Sequence, residues 1–194
     1  MSHRYVKRAA LLFCAAAALV LASCSSGPKV RTDSAANVNF SNYKTFAFMP
    51  ELATDKAGYT TLLTQHLKNS ISRELTNRGY RYSETNPDLL VNFNSNVENR
   101  SETRTMPAAT MHYGYYGYRR GIYTSFPIYT TEVDTIHYKY GTVNIDLVDA
   151  AKKQLVWEGI SEGTLKKQDL AQPQTAIENV VGLIFQQFPV KAAN

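Results

Sequence analysis

The chain has 194 residues, of which 44% are hydrophobic and 19% are charged. This balance is typical of a globular domain and excludes a disordered or collagen-like chain and a polytopic membrane protein. Without residues 1–23, interpreted below as a removed signal, the count is 18 basic against 16 acidic residues. So small an excess argues against nucleic-acid binding, which usually needs a larger or more clustered basic charge.

The first 23 residues have the layout of a secretory signal peptide. Arg4, Lys7 and Arg8 form a positive start, and residues 9–22 carry no charge. This apolar stretch is too short for a permanent membrane span, which needs about 20 residues. The sequence Leu21-Ala22-Ser23-Cys24 that ends it resembles the lipobox of bacterial lipoproteins, in which small residues precede a cysteine that receives lipid.

The lipobox resemblance implies that Cys24 is the lipidated first residue of the mature protein. Ser25 follows it, whereas an aspartate at this position retains proteobacterial lipoproteins in the inner membrane. We therefore expect a palmitate-bearing anchor in the outer membrane, with the domain on the periplasmic face. Residues 24–30 are predicted to be the lipidated cysteine and a short tether. Cys14 leaves with the signal, so the mature domain is expected to contain no disulfide.

Residues 31–190 predict a single domain that begins with a strand ending at Pro50. Residues 57–78 predict a helix, because Leu63, Leu67, Ile71 and Leu75 recur at every fourth position. Asp55 is predicted to be its N-cap, and Gly79 the left-handed residue that ends it.

Five further strands and a closing helix follow in the predicted order. The strands are assigned to residues 80–82, 89–97, 129–140, 142–148 and 154–165, with a bulge at Gly141 and a turn at Asp149, and the helix to residues 173–188. This order predicts an α+β fold, with a mostly antiparallel sheet of about five to six strands and two helices packed on one face.

Five segments, in this order, resemble a known bacterial family. They are Asn39–Phe46, Asp88–Phe93, Gly141–Asp149, Leu155–Gly159 and the closing helix that ends at Phe188-Pro189. Together they are similar to the lipoprotein family catalogued as domain of unknown function 4136. The resemblance implies an envelope lipoprotein of unknown role, and it brings no established activity, cofactor or functional residue.

Two patterns were weighed for catalysis or metal binding. Gly159-Ile160-Ser161-Glu162-Gly163 matches G-x-S-x-G, but the alternation continues through it without the strand-turn-helix context that a nucleophile elbow requires. The mature histidines His66, His112 and His137 lack the spacing of a metal site. We therefore predict no enzyme activity, no metal and no cofactor, with an envelope hydrolase using Ser161 as the alternative.

Residues 111–126 are unusually rich in tyrosine and glycine, and we predict a loop there. One interpretation is a mobile linker whose tyrosines partly cover the sheet. The other is a contact surface, because tyrosine, glycine and arginine together suit adaptable binding. The candidate contact residues are Tyr113, Tyr115, Tyr116, Tyr118, Arg119 and Arg120.

These observations predict an outer-membrane lipoprotein that acts as a binding or structural module rather than as an enzyme. Besides the membrane, which it reaches through lipid on Cys24, its expected partner is another envelope protein or a glycan, and not a nucleic acid. A subunit of a larger envelope assembly is a third interpretation, which a large exposed apolar patch would favour.

Overall fold

The computed structural model of the protein describes residues 27–55, 59–116 and 122–192, with side chains throughout except at positions 110–128. The strands are β1 (Lys29–Ser34), β2 (Thr45–Phe48), β3 (Arg81–Tyr82), β4 (Leu89–Tyr116), β5 (Ile122–Asp149) and β6 (Gln154–Thr164). The helices are α1 (Leu62–Thr76), α2 (Lys167–Ala171) and α3 (Pro173–Phe185).

The six strands form one mixed sheet in the order β1-β6-β5-β4-β2-β3. Strands β1, β6, β5 and β4 are successively antiparallel. Strand β2 runs parallel to both β4 and β3, which gives the sheet its mixed character. The predicted α+β class and strand number are therefore confirmed, with a third, short helix added.

The core is built from alternate positions of the central strands, as the period of a strand dictates. Side chains from β4, β5 and β6 join those of α1 and α3 in a single buried cluster. Trp157 is 1% exposed. Its ring centroid lies 5.5 Å from that of Phe185 and 5.0 Å from that of Phe188. The tryptophan is therefore a core residue between β6 and the end of α3.

Two local predictions about α1 and Gly141 are wrong. Helix α1 is capped by Thr61, whose side chain accepts a hydrogen bond of 3.1 Å from the backbone N–H of Thr64, and not by Asp55. Gly141 makes no bulge, because it pairs regularly with Val97; the ladder shifts instead between Leu147 and Val148.

Gly141 has a packing role in place of the predicted bend. A Cβ at this position would lie 3.0 Å from Cδ2 of Leu165, so a side chain there would crowd the leucine. Gly79 does adopt the predicted left-handed conformation, with φ of 90°.

Strand β1 was not anticipated, and its first two residues fall within the predicted tether. It pairs along its whole length with β6, from Lys29 opposite Glu162 to Ser34 opposite Trp157. The predicted strands 129–140 and 142–148 are parts of a single strand, β5, since no turn interrupts them.

A candidate contact surface on a projecting hairpin

Strands β4 and β5 form a hairpin that continues far beyond the rest of the sheet. Strand β6 pairs with β5 only as far as Tyr140, whereas β4 and β5 stay paired out to Tyr116 opposite Ile122. We call residues 97–116 and 122–141 the arm. At about 3.4 Å per residue, its 97–116 strand is on the order of 60 Å long.

The arm exposes apolar side chains that have no place in the core. Tyr129 is 77% exposed, Val133 62% and Met106 54%. Isolated exposed apolar residues are ordinary, but these three share one narrow ribbon. A two-stranded ribbon is marginally stable in water by itself, so further contacts would stabilise it.

Four charged residues alternate in sign along one face of the arm. Glu98, Arg100, Glu102 and Arg104 occupy every second position of β4, so their side chains share one face. Arg100 Nη2 lies 3.0 Å from Glu98 Oε2, and Arg104 Nε lies 3.1 Å from Glu102 Oε1. The hydrogen bond that Arg100 donates to the Glu98 carboxylate raises the pKa of the Arg100 guanidinium.

These ion pairs stabilise the single chain little, because water and salt screen them. Sequence reasoning followed the alternation of β4 only as far as Glu98. The signal that it missed is the repeat of acidic and basic residues at every second position from Glu98 to Arg104.

The predicted tyrosine-rich loop is instead part of the arm. Tyr113, Tyr115 and Tyr116 lie in β4, opposite positions 122–125 of β5, whereas Tyr118, Arg119 and Arg120 lie outside the described residues. The loop prediction is wrong because it let the glycines outweigh the high β propensity of tyrosine, threonine and isoleucine. The first interpretation, a linker whose tyrosines partly cover the sheet, does not fit paired strands that continue beyond it.

Two prolines in the arm also argue against a strand when the sequence is considered alone. Pro107 pairs with Thr131, and Pro127 pairs with Met111, although proline lacks the N–H that a ladder uses. A ribbon of two strands tolerates proline because each strand has one edge free, so the missing donor can face solvent.

Ser161 does not lie in a nucleophile elbow. It is 2% exposed and sits inside β6, paired with Val30 on one side and Val143 on the other. The neighbouring Gly159 and Gly163 have no positive φ, so the chain makes no sharp turn there. Among the described residues, no histidine makes a hydrogen bond to its hydroxyl.

The described histidines stand far apart in the fold. His66 is half-buried on α1, and His137 is exposed on the arm. Within the described residues, no group of three or more histidine, cysteine, aspartate or glutamate side chains could share a metal ion. The side chains of His112 and Cys24 lie outside the described part of the structure.

Asp149 and Asp88 are structural carboxylates at the end of the sheet opposite the arm. Asp149 accepts hydrogen bonds from the backbone N–H groups of Ala151 and Lys152, at 3.1 and 2.9 Å, which confirms its role in the turn. The bond from Lys152 lowers the pKa of Asp149. The backbone N–H of Lys44 likewise lowers the pKa of Asp88.

A shallow depression of about 540 Å³ lies over residues of β4, β5 and β6. Apolar side chains of Leu90, Val148 and Leu155 line it, together with the carboxylate of Asp146. The amides of Asn92 and Asn144 donate to that carboxylate at 3.2 and 3.0 Å. Two donors therefore already hold the acidic group of the depression, and Lys153 adds a basic side chain to its lining.

The fold is that of a small α+β domain with an open mixed sheet and a projecting arm. The family model for "Domain of unknown function (DUF4136)" matches residues 30–190, and the chain belongs to this family. The family resemblance found in the sequence is thereby confirmed. No helix in the described part of the chain has the length and apolar character needed to cross a membrane.

Three solved structures are similar in fold at low identity. A PDZ domain protein from Parabacteroides distasonis ATCC 8503 is 18% identical, with a TM-score of 0.49 and coverage of 87% of this chain. The match covers only 38% of that protein, so the chain spans little more than a third of its length.

The other two structures are PelC dodecamers from Paraburkholderia phytofirmans, one of them a variant. They are 12% and 11% identical, with TM-scores of 0.46 and 0.42, and each match covers 86% of this chain and 99% of PelC. At these TM-scores the likenesses say nothing about ligands or assembly of the present chain. No curated protein matches the chain.

Proposed function

We propose that this protein is a lipoprotein, anchored through Cys24 in the outer membrane and facing the periplasm. In this proposal it is a binding or structural module, not an enzyme, and the arm is its contact surface. The observation that carries the proposal is the arm itself, a ribbon on the order of 60 Å long. Among the described side chains, none between Phe93 of β4 and Ile145 of β5 belongs to the buried core of the domain.

The distribution of burial supports a contact role for the arm. We propose that α1 and α3 cover one face of the sheet, since the buried positions Leu89, Val91 and Phe93 of β4 alternate with half-buried or exposed ones. The exposed Tyr129, Val133 and Met106 lie beyond this covered region. Their exposure costs solubility, and contact with a partner would offset that cost.

The position of the chain's first described residues supports a link between anchor and arm. Pro28 packs beside Gly163, because a Cβ on that glycine would lie 3.1 Å from the proline Cα. Gly163 pairs with Gly141, at the base of the arm. Pro28 comes four positions after Cys24, and a chain of that length can span at most about 14 Å. A lipid on Cys24 would therefore hold the base of the arm close to the membrane surface.

Crosslinking in cells tests this function. The test variant changes Tyr115, Tyr116, Tyr118, Arg119 and Arg120 to alanine, and the control variant changes the exposed Tyr59, Arg31 and Arg81 to alanine. We expect the test variant to lose one or more crosslinked partners and to keep its melting temperature, while the control keeps the full set. A test variant with full stability and an unchanged partner set would contradict a contact role for the tip of the arm.

The hydrolase alternative gains no support from the geometry of Ser161. A buried hydroxyl in the middle of a paired strand has no access to substrate, and no described histidine makes a hydrogen bond to it. The assembly alternative does gain support, because a long exposed strand edge is a template for pairing with another chain.

A further inference from the structure

We propose that the arm pairs with the arm of a second copy of this chain. The two β4 strands would lie edge to edge and antiparallel, related by a twofold axis at Ser101. The inference rests on the proposed function only in taking the arm as a contact surface. It concerns the half of the arm nearest the sheet, whereas the crosslinking variant above changes the tip, so either proposal can fail without the other.

Strand β4 has a long free edge for such pairing. Strand β2 pairs with β4 only at Leu89, Leu90 and Val91, and no other described strand occupies that side further along. The carbonyl of Val91 accepts a hydrogen bond of 2.9 Å from the N–H of Met49, so the backbone groups of Val91 point to this outer edge. The N–H and C=O groups of successive residues in a strand point alternately to its two edges. The β4–β5 pairing has no irregularity that would interrupt this alternation. The odd-numbered residues of β4 therefore present their N–H and C=O groups outward.

The charges of the arm are complementary to themselves. The charges at alternate positions from Glu98 to Arg104 are negative, positive, negative and positive. A strand that runs in the opposite direction presents the same charges in reversed order, so every position has the opposite sign. Antiparallel pairing about Ser101 places each Glu98 opposite an Arg104 and each Arg100 opposite a Glu102. These even-numbered positions form the non-hydrogen-bonded pairs, in which the Cα atoms are about 4.5 Å apart and the side chains are closest.

The same charges also favour this register, since an axis at Asn99 or Thr103 would keep only half of the opposite-charge pairs. Moving the axis by one residue, to Arg100 or to Glu102, places glutamates opposite glutamates and arginines opposite arginines. Like charges directly opposite one another destabilise a strand pair, whereas opposite charges stabilise it. A closed twofold interface requires a surface that is complementary to itself, because both copies contribute the same residues. This charge pattern meets that requirement.

Pro107 limits the interface to a length that both copies can accommodate. In this register it would lie opposite Ser95, and its missing N–H would end the ladder there. The paired segment is therefore residues 97–105 of each chain. It stops short of Leu89–Val91, where β2 already occupies the edge. Pairing would convert two marginal ribbons into one four-stranded sheet, which is independently more stable.

Charge reversal tests the pairing on the full lipidated protein. One variant carries Arg100→Glu with Arg104→Glu, and the other carries Glu98→Arg with Glu102→Arg. In a dimer of either variant alone, four charges of one sign on one chain would face four charges of the same sign on the other chain. We expect its dimer dissociation constant, measured by native mass spectrometry, to rise roughly tenfold to hundredfold. An equal mixture of the two variants should restore dimers that contain one chain of each kind.

A disulfide tests the register. Cα atoms of a hydrogen-bonded antiparallel pair are about 5.5 Å apart, which lies within the range of about 4.4–6.8 Å that a disulfide needs. Ser101→Cys should therefore form a covalent dimer on mild oxidation. The matched control is Thr135→Cys, on β5 of the same arm, where the two copies would be more than three strand spacings, or about 14 Å, apart. We expect no crosslink there.

Three results would overturn the inference. The first is a wild-type protein that stays monomeric at all concentrations. The second is a pair of charge-reversed variants that dimerise alone, or fail to dimerise when mixed while their melting temperatures match that of the wild type. The third is equal crosslinking at positions 101 and 135. Crosslinking of the arm base to a different envelope protein, with no homodimer, would also reject a second copy as its partner.

Discussion

Gly159 of β6 lies directly against Ile184 of α3, and a Cβ on the glycine would overlap the isoleucine side chain and the Trp157 ring. The helix can therefore pack this closely on the strand only because position 159 has no side chain. The absence of a side chain at position 159 thus relieves crowding beside Trp157. The G-x-S-x-G pattern thus begins with a packing requirement rather than with catalysis.

Gly159→Ala is expected to destabilise the fold by about 1–3 kcal/mol, the usual cost of overpacking a core. The matched control is Gly182→Ala in α3, where a Cβ would meet only the side chain of Glu74, at 4.0 Å. That change should be neutral or should stabilise the protein by up to about 1 kcal/mol, since alanine favours helix. Denaturant melts of both variants measure the difference, and equal stabilities would refute the packing role.

Trp157→Ala is expected to cost roughly 3–5 kcal/mol, because it empties a large buried volume between β6 and α3. Its indole Nε1 is buried without a hydrogen-bond partner, so Trp157→Phe removes an unsatisfied donor along with some volume. We therefore expect the phenylalanine variant to lose much less stability than the alanine variant. If Trp157→Ala loses less than about 1 kcal/mol, the tryptophan is not the centre of the core.

Asp149 is expected to make the fold sensitive to acid. Its pKa is lowered in the folded state by the N–H of Lys152, and the Tyr43 hydroxyl, which donates at 3.0 Å, acts in the same direction. A lowered folded pKa contributes stability above the unfolded value, near 3.9. That contribution is lost as the pH falls through the folded pKa.

Asp149→Asn should lower stability at pH 7 by about 1.5–3 kcal/mol and should reduce the loss between roughly pH 5 and pH 2. The control is Asp33→Asn, at an exposed position on β1. Melts across the pH range separate the two variants. A slope for Asp149→Asn equal to that of the wild type would show that Asp149 does not contribute to the acid sensitivity.

The sequence predicts the sheet and both long helices because their signals are local. The alternation from Leu89 to Val97 and the four-residue spacing from Leu63 to Leu75 mark elements that bury one face. Strand β1 could not be predicted, because it forms by pairing with β6, which comes more than 120 residues later in the chain. Helix α2 escapes because it has only five residues.

The arm could not be predicted for a different physical reason. Its described side chains are mostly exposed on both faces, so no hydrophobic period distinguishes strand from loop there. Its strands are defined by their pairing with each other, as in Thr103 opposite Thr135, and pairing leaves little trace in either strand alone. The tyrosine content marks the tip of the arm in the sequence, whereas the charge alternation from Glu98 to Arg104 has no hydrophobic pattern beside it.

In the proposed function, a lipid on Cys24 places the base of the arm near the membrane, so the proposal depends most on this anchor. Acyl chains contribute about 0.8 kcal/mol per buried methylene, so several chains on one cysteine hold a protein effectively permanently.

Palmitate labelling of the wild type, Cys14→Ala and Cys24→Ala in bacterial cells tests the anchor directly. We expect full labelling of the wild type and of Cys14→Ala, whose changed residue leaves with the signal. We expect Cys24→Ala to remain an unlabelled, unprocessed precursor. Palmitate labelling of Cys24→Ala at the wild-type level would contradict the account.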